Sequence, residues 1–135
     1  MSLKSEVLKY HRLEKGDTVS YMGTWKSSRG TDLVTIPIGY GDGFFRVFSN
    51  KGRILFRGEE APIVGVVCMD YLMADVTDIV AKTGNSPQKG EEIVLFGRQG
   101  EAELRVEKLA ELIETIPYEI ITNVGARVPR NYVTG

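Results

Sequence analysis

Up to about residue 100, every apolar stretch of this chain is short, rich in β-branched residues and closed by turn-forming residues; helical periodicity appears only beyond that point. Residues 6–14 form a β-leaning mix that ends in the turn Lys15-Gly16-Asp17, and Thr18 to Trp25 carries a second set of strand formers. A polar loop over Lys26 to Thr31 precedes a strand from Asp32 to Ile38, in which Pro37 suggests an edge or a bulge. Arg46–Ser49 and Arg53–Phe56 flank Asn50-Lys51-Gly52, a hairpin signal. Ile63 to Cys68 is a nearly unbroken apolar run that fits a strand buried on both faces, and Tyr71 to Val76 continues in strand character. Asp78 to Lys89 reads as a loop and Glu91 to Phe96 as another strand. Leu104, Leu109, Leu112 and Ile113 then place apolar residues on one side of a helix over roughly 106–114, with a second short helix over 117–124 started by Pro117. Many short strands followed by one or two short helices near the C-terminus predict a mainly β domain, a closed or nearly closed barrel of about eight strands.

At 135 residues the chain can build one core. Seventeen basic and eighteen acidic side chains give no one-sided basic field, which argues against nucleic acid as a partner. No run of eighteen apolar residues could span a bilayer as a helix, and the start lacks the basic-then-apolar order of a signal peptide. Met1-Ser2-Leu3 reads as a cloning scar, so residues 1–5 are expected to be a scar or a flexible terminus and residues 6–134 the domain. A single cysteine, Cys68, cannot form an internal disulfide and fits a reducing cytoplasm. With one histidine besides, His11, no zinc motif can be assembled, and no metal is expected.

Three strings carry the chemistry. Val19-Ser20-Tyr21-Met22-Gly23-Thr24-Trp25 contains a tyrosine that is, by composition alone, an aromatic core residue. Gly39-Tyr40-Gly41-Asp42-Gly43 is a glycine-dense turn nineteen residues after Tyr21, measured to Tyr40. It is not a phosphate loop, since no Gly-Lys-Ser/Thr follows. Ala61 to Asp70 is a buried strand ending in a thiol, a thioether and a carboxylate, and Cys68 by itself reads as an inert buried thiol.

Taken together and in this order, these strings resemble the C-terminal domain of alanine racemase, a pyridoxal-phosphate enzyme. Gly97-Arg98-Gln99-Gly100, Ile116-Pro117-Tyr118-Glu119 and Arg127-Val128-Pro129-Arg130 extend the resemblance over roughly residues 6 to 133. The resemblance implies that Tyr21 is the acid/base for one face of the substrate, a role that requires a tyrosine in a positive or hydrogen-bonding setting. It further implies that Tyr40 and Arg46 line the substrate corridor and that the Met69 amide approaches the substrate carboxylate, with Cys68 and Asp70 shaping that wall. Ile116 is implied in the corridor and Tyr118 at the cofactor phosphate. Val66 and Pro117 depart from the family pattern, which has arginine and asparagine there. The Gly97–Gly100 turn and the Arg127–Arg130 string are read as structural.

The family builds its active site from two parts, and the lysine-bearing (β/α)8 barrel has no counterpart in this chain. No lysine lies in the family's cofactor motif, and no alternating strand–helix units are present that could form the barrel. The expectation is an excised domain, inactive alone, that in a homodimeric parent covers the partner's barrel over a small amino-acid substrate. A racemase of serine or of broad specificity fits the same residues. A β-barrel binding module without catalytic ancestry explains the strands but not the order of the tyrosine motifs.

Overall fold

The computed structural model of the chain describes residues 2–19, 25–42, 44, 48–112, 115 and 120. Among these residues ten strands and two α-helices follow one another as β1 (Leu3–Glu6), β2 (Lys9–Leu13), β3 (Thr18–Val19), β4 (Trp25–Lys26), β5 (Thr31–Ile36), β6 (Arg53–Phe56), β7 (Glu59–Val64), β8 (Leu72–Asp75), α1 (Thr77–Thr83), β9 (Glu92–Gln99), β10 (Ala102–Leu104) and α2 (Val106–Leu112), besides a 3-10 turn at Tyr40–Asp42 and the helical Ile120. Eight of the strands form one sheet in the order β1-β9-β6-β7-β8-β5-β2, with β10 added on β9; β3 and β4 pair separately. All its pairings are antiparallel. The mainly β expectation holds, and α2 stands where the leucine periodicity placed a helix.

The sheet is not closed by a ladder between its end strands. Those ends, β1 and β2, are successive pieces of one backbone stretch separated only by Val7 and Leu8. Its first half pairs with β9, Leu3 opposite Phe96 and Glu6 opposite Glu92. Its second half pairs with β5, Lys9 opposite Thr35 and Leu13 opposite Thr31. The crossing is itself bonded: the Val7 amide donates to the Glu91 carbonyl and the Leu8 amide to the Thr35 carbonyl. One stretch of chain thus serves both edges, which leaves neither end strand a long unpaired edge. Leu3–Glu6 belongs to the sheet, with Leu3 buried.

Burial follows the sequence pattern. All six residues of β5 are buried, as its β-branched run requires of a strand covered on both faces. Phe48, Phe56 and Phe96 are fully buried, and Phe44 stacks on Phe48 with ring centroids 4.7 Å apart. Each such side chain contributes on the order of 1.5–3 kcal/mol through burial. Ile120, within the expected second helix of 117–124, is helical and buried; the rest of that segment lies outside the described residues.

Several expected elements are different. β6 pairs with β7 and β9, and the tight turn is Arg57-Gly58: both residues have positive φ, 52° and 78°, the requirement of a two-residue hairpin turn, while residues 46 and 47 of the expected hairpin lie outside the described residues. Asn50 instead closes a loop, donating its amide to the Gly65 carbonyl while its Oδ1 accepts from the Gly65 amide. The run Ile63–Cys68 stops being a strand at Val64, since Gly65 turns the chain at φ 77°. Pro37 marks the end of β5, a strand flanked on both sides, and not an edge. The expected loop 78–89 opens with α1, and Gly97-Arg98-Gln99 is the last part of β9, which pairs with β10.

Arg57 fastens the β6–β7 turn to the rest. Its guanidinium pairs with both oxygens of Glu91 at 2.9 and 3.0 Å and donates to Thr83 Oγ1 and to the carbonyls of Asn85 and Ser86. It also lies over the Phe56 ring, 4.7 Å from the centroid. The arginine, helped by the Gln88 amide, holds the Glu91 carboxyl below its ordinary value of 4.5.

A second fastening joins two turns distant in sequence. The Tyr40 amide donates to the Cys68 carbonyl at 3.0 Å and the Gly41 amide to the Met69 carbonyl at 2.8 Å. Within the first turn the Gly39 amide donates to Asp42 Oδ2 and the Asp42 amide to the Gly39 carbonyl. Gly39 is required by this approach: a Cβ there would stand 2.0 Å from the Cys68 carbonyl oxygen.

Two outcomes follow from these fastenings. Gly39→Ala must push backbone away from backbone and loses the two docking bonds, so it should cost about 2–3 kcal/mol. A urea midpoint unchanged within error would show that the turn can separate without loss. Arg57→Ala should cost about 2–4 kcal/mol, because it leaves Glu91 half-buried without its cation. The pH dependence carries the sign. A carboxyl lowered in the folded state stabilises above its unfolded value of 4.5, and that contribution is lost as pH falls through the folded value. The stability of the native chain should therefore drop more steeply below pH 4.5 than that of Arg57→Ala; parallel curves in urea titrations across this range would refute the assignment.

Candidate functional site

The docked turns bring Tyr40 and Met69 onto one surface. The two chain segments reach it from β5, through Ile38 and Gly39, and from β7, through the Gly65 turn and Val67. Each is held from behind: the Val67 amide donates to Ser49 Oγ at 2.7 Å, and the Cys68 amide closes a turn onto the Tyr71 carbonyl at 2.9 Å. Val67, Ile38 and Phe44 are buried beneath.

Above this base the side chains point outward. Tyr40 is 46% exposed and Met69 53%, and they account for two of the four large apolar side chains exposed among the described residues. Two exposed apolar groups on a rigid double turn suit a surface that something else covers. The Met69 carbonyl is used by Gly41, while the Met69 amide has no acceptor among the described residues. An N–H without an acceptor on a fixed turn is a donor suited to an anionic oxygen.

Cys68 is partly exposed, and its Sγ lies 3.5 Å from the Val66 carbonyl as a weak donor. Hydrogen bonding to that thiol, reinforced by charge and burial, pushes the Tyr71 hydroxyl above its ordinary value. Tyr10 is also raised, chiefly by its hydrogen bond to Asp32 Oδ1. A base at neutral pH needs the opposite shift, so neither tyrosine is suited to that work. The Cys68–Tyr71 contact escaped the sequence reading; the short spacing of the two residues was its only signal.

Tyr21, Arg46, Ile116 and Tyr118 lie outside the described residues. What is described is the base of the segment that carries Tyr21: Thr18 and Val19 pair with Lys26 and Trp25, and residues 20–24 join the two strands. No group of three or more His, Cys, Asp or Glu side chains among the described residues is placed to hold a metal ion. No helix among them is long and apolar enough to cross a membrane.

Comparison with known proteins accounts for this arrangement. The family model described as alanine racemase, C-terminal domain, matches residues 1–132. The alanine racemases of Thermodesulfovibrio yellowstonii and Carboxydothermus hydrogenoformans are 39% and 42% identical over 133 residues. Each alignment covers 98% of this chain and 35% of the relative. Among solved structures, alanine racemase from Bartonella henselae with covalently bound pyridoxal phosphate superposes with a TM-score of 0.87 at 36% identity, over 98% of this chain and 34% of that one. Alanine racemase from Bacillus anthracis with bound L-Ala-P gives 0.88 at 34% identity, over 98% and 32%. The chain spans about a third of the length of these relatives. The match runs over nearly the whole length in both sequence and structure, and the chain belongs to the alanine racemase C-terminal domain family.

Proposed function

We propose that this domain supplies one side of the active site of a cytoplasmic, pyridoxal-phosphate-dependent alanine racemase that interconverts L- and D-alanine for peptidoglycan precursors. The observation that carries the reading is the docking of the Gly39–Asp42 turn on Cys68 and Met69, which presents Tyr40 beside an amide without an acceptor in the described chain. An aromatic ring, a thioether and a free N–H fit a small amino acid: the N–H donates to its carboxylate and the two side chains limit its size.

In this reading Tyr21 takes or returns the α-proton on one face of the substrate through its hydroxyl oxygen. A lysine of an N-terminal barrel serves the other face. Tyr40, Arg46 and Ile116 line the corridor, and Met69 binds the substrate carboxylate. Tyr118 would hold the cofactor's phosphate. When bound, pyridoxal phosphate supplies the electron sink that makes the α-proton removable. The described wall leaves the holding of the cofactor to Tyr118 and to an N-terminal (β/α)8 barrel, and in the parent homodimer the wall closes over the partner's barrel. Solved relatives with a bound cofactor and with bound L-Ala-P support the chemistry. A racemase acting on serine or on several amino acids uses the same wall, and kinetics with alanine against serine separates the two readings.

Alone, the chain should neither bind the cofactor covalently nor racemise alanine, because it has no lysine in the required setting. Borohydride trapping after incubation with pyridoxal phosphate checks this; a stoichiometric lysine adduct at a single site would overturn it. In the full-length protein Tyr21→Phe should lower turnover by about 10²–10⁴-fold, the range for a positioned acid/base. Since different groups serve the two faces, the loss should differ between the two directions when the exchange of the α-hydrogen with solvent is followed. Near-normal turnover both ways, with the fold intact, would remove Tyr21 from the mechanism.

A further inference from the structure

We propose that Asn50 and its neighbour Ser49 are positioning residues for the Met69 amide, fixing by two side-chain bonds the place where the substrate carboxylate is met; the proposal rests on the racemase reading above. The loop 48–52 runs alongside residues 63–67. The Lys51 and Gly52 amides close it, both donating to the Phe48 carbonyl, at 2.9 and 2.8 Å. Phe48 is buried, and a Cβ on Gly52 would stand 2.8 Å from Ile63 Cδ1, so the loop lies close against β7. Three alternate amides of the adjoining segment then meet three different acceptors. Ile63, still within β7, donates to the Gly52 carbonyl at 2.8 Å. Gly65 donates to Asn50 Oδ1 at 2.6 Å, and Val67 donates to Ser49 Oγ at 2.7 Å.

β7 stops at Val64, where Gly65 turns the chain, and from there side chains take over the work of a backbone ladder. Asn50 also returns a bond, its amide donating to the Gly65 carbonyl at 3.1 Å, so the two residues bracket each other. It does so at φ 57°, in the left-handed region that asparagine enters more readily than most residues. Two residues beyond the Ser49 bond the segment reaches the docked turn, where the Cys68 and Met69 carbonyls accept from the Tyr40 and Gly41 amides. The Cys68 amide is held on the Tyr71 carbonyl. The Met69 amide, the next along the chain, has no acceptor among the described residues. Its position is therefore inherited from the bonds that hold residues 65–68, two of which come from side chains with no part in the core. Asn50 is exposed, so truncating it empties no packed space.

Two variants remove these bonds with little else. Asn50→Gly keeps the positive φ accessible and deletes the acceptor, and Ser49→Ala deletes one hydroxyl. In the full-length enzyme each should raise KM for alanine roughly 5–30-fold while kcat changes less than about threefold, because a carboxylate contact is made alike in the ground and transition states. Ser49→Thr, which keeps the hydroxyl, should recover most of the loss. Alaninamide, which has no anionic oxygen, serves as a competing ligand, and its inhibition constant should rise no more than about twofold. Arg57→Ala, which weakens the β6–β7 hairpin from its opposite end, is the control for loss of stability alone and should leave KM unchanged. Amide hydrogen exchange should speed up at Gly65 in Asn50→Gly and at Val67 in Ser49→Ala, and stay as it is in β9. Should one variant not fold, the other carries the comparison. An active enzyme in which either folded variant leaves KM for alanine unchanged, or weakens alanine and alaninamide equally, would overturn this proposal alone. A full-length protein that racemises neither alanine nor another amino acid would overturn the functional reading and this proposal with it.

Discussion

The backbone from Leu3 to Leu13 holds both ends of the sheet, and the rest of the domain depends on it. Its first half completes β9 and its second half completes β5, with Val7 and Leu8 bonded across the gap. Antiparallel sheets of this size leave edges that invite pairing with other chains. Here two edges are satisfied by one segment, at the cost of ordering a few residues. The arrangement also fixes the distance between β5 and β9, and so the volume available to Phe48, Phe56 and Phe96. β5 then delivers Gly39 and Tyr40 from its C-terminal end, so the position of the site is set by a strand that is held on both sides.

Strand positions were legible because burial and β-branching coincide in this chain: β5, β8 and β9 stand close to where the apolar runs placed them. Turn identity was less so. Asn50-Lys51-Gly52 has the composition of a hairpin, but the hairpin forms at Arg57-Gly58. An arginine at positive φ costs local energy, and its compensation comes from Glu91, Thr83, Asn85 and Ser86, partners far along the chain. No local reading can see that compensation. Helix α1 escaped for a related reason: Val76 at its N-cap makes no side-chain capping bond, so the usual start signal is absent, and only Gly84, in the left-handed conformation at its end, marks it.

For the candidate site, the motif strings single out Tyr40 and Met69, and geometry explains why glycine and outward side chains stand there. Gly39 is glycine because the Cys68 carbonyl occupies the space of a Cβ, and Tyr40 and Met69 are outward because the backbones beneath them are locked together. Sequence spacing gives no hint that the Met69 amide is left over when the turns dock. Nor does it show the Tyr71 hydroxyl against the Cys68 thiol. Tyr21, Arg46, Ile116 and Tyr118 rest on the resemblance alone, since they lie outside the described residues.

The electrostatics of the tyrosines give the division of labour a physical basis. A tyrosine becomes a base when positive charge or hydrogen-bond donors stabilise its phenolate. Tyr10 faces the Asp32 carboxylate, and Tyr71 faces a thiol whose ionised form repels a phenolate; both are pushed away from that role. Two of the described arginines are paired with carboxylates, Arg12 with Asp32 and Arg29 with Asp78. Neither Tyr10 nor Tyr71 is therefore suited to take a proton at neutral pH. The racemase reading proposed above gives that role to Tyr21 instead.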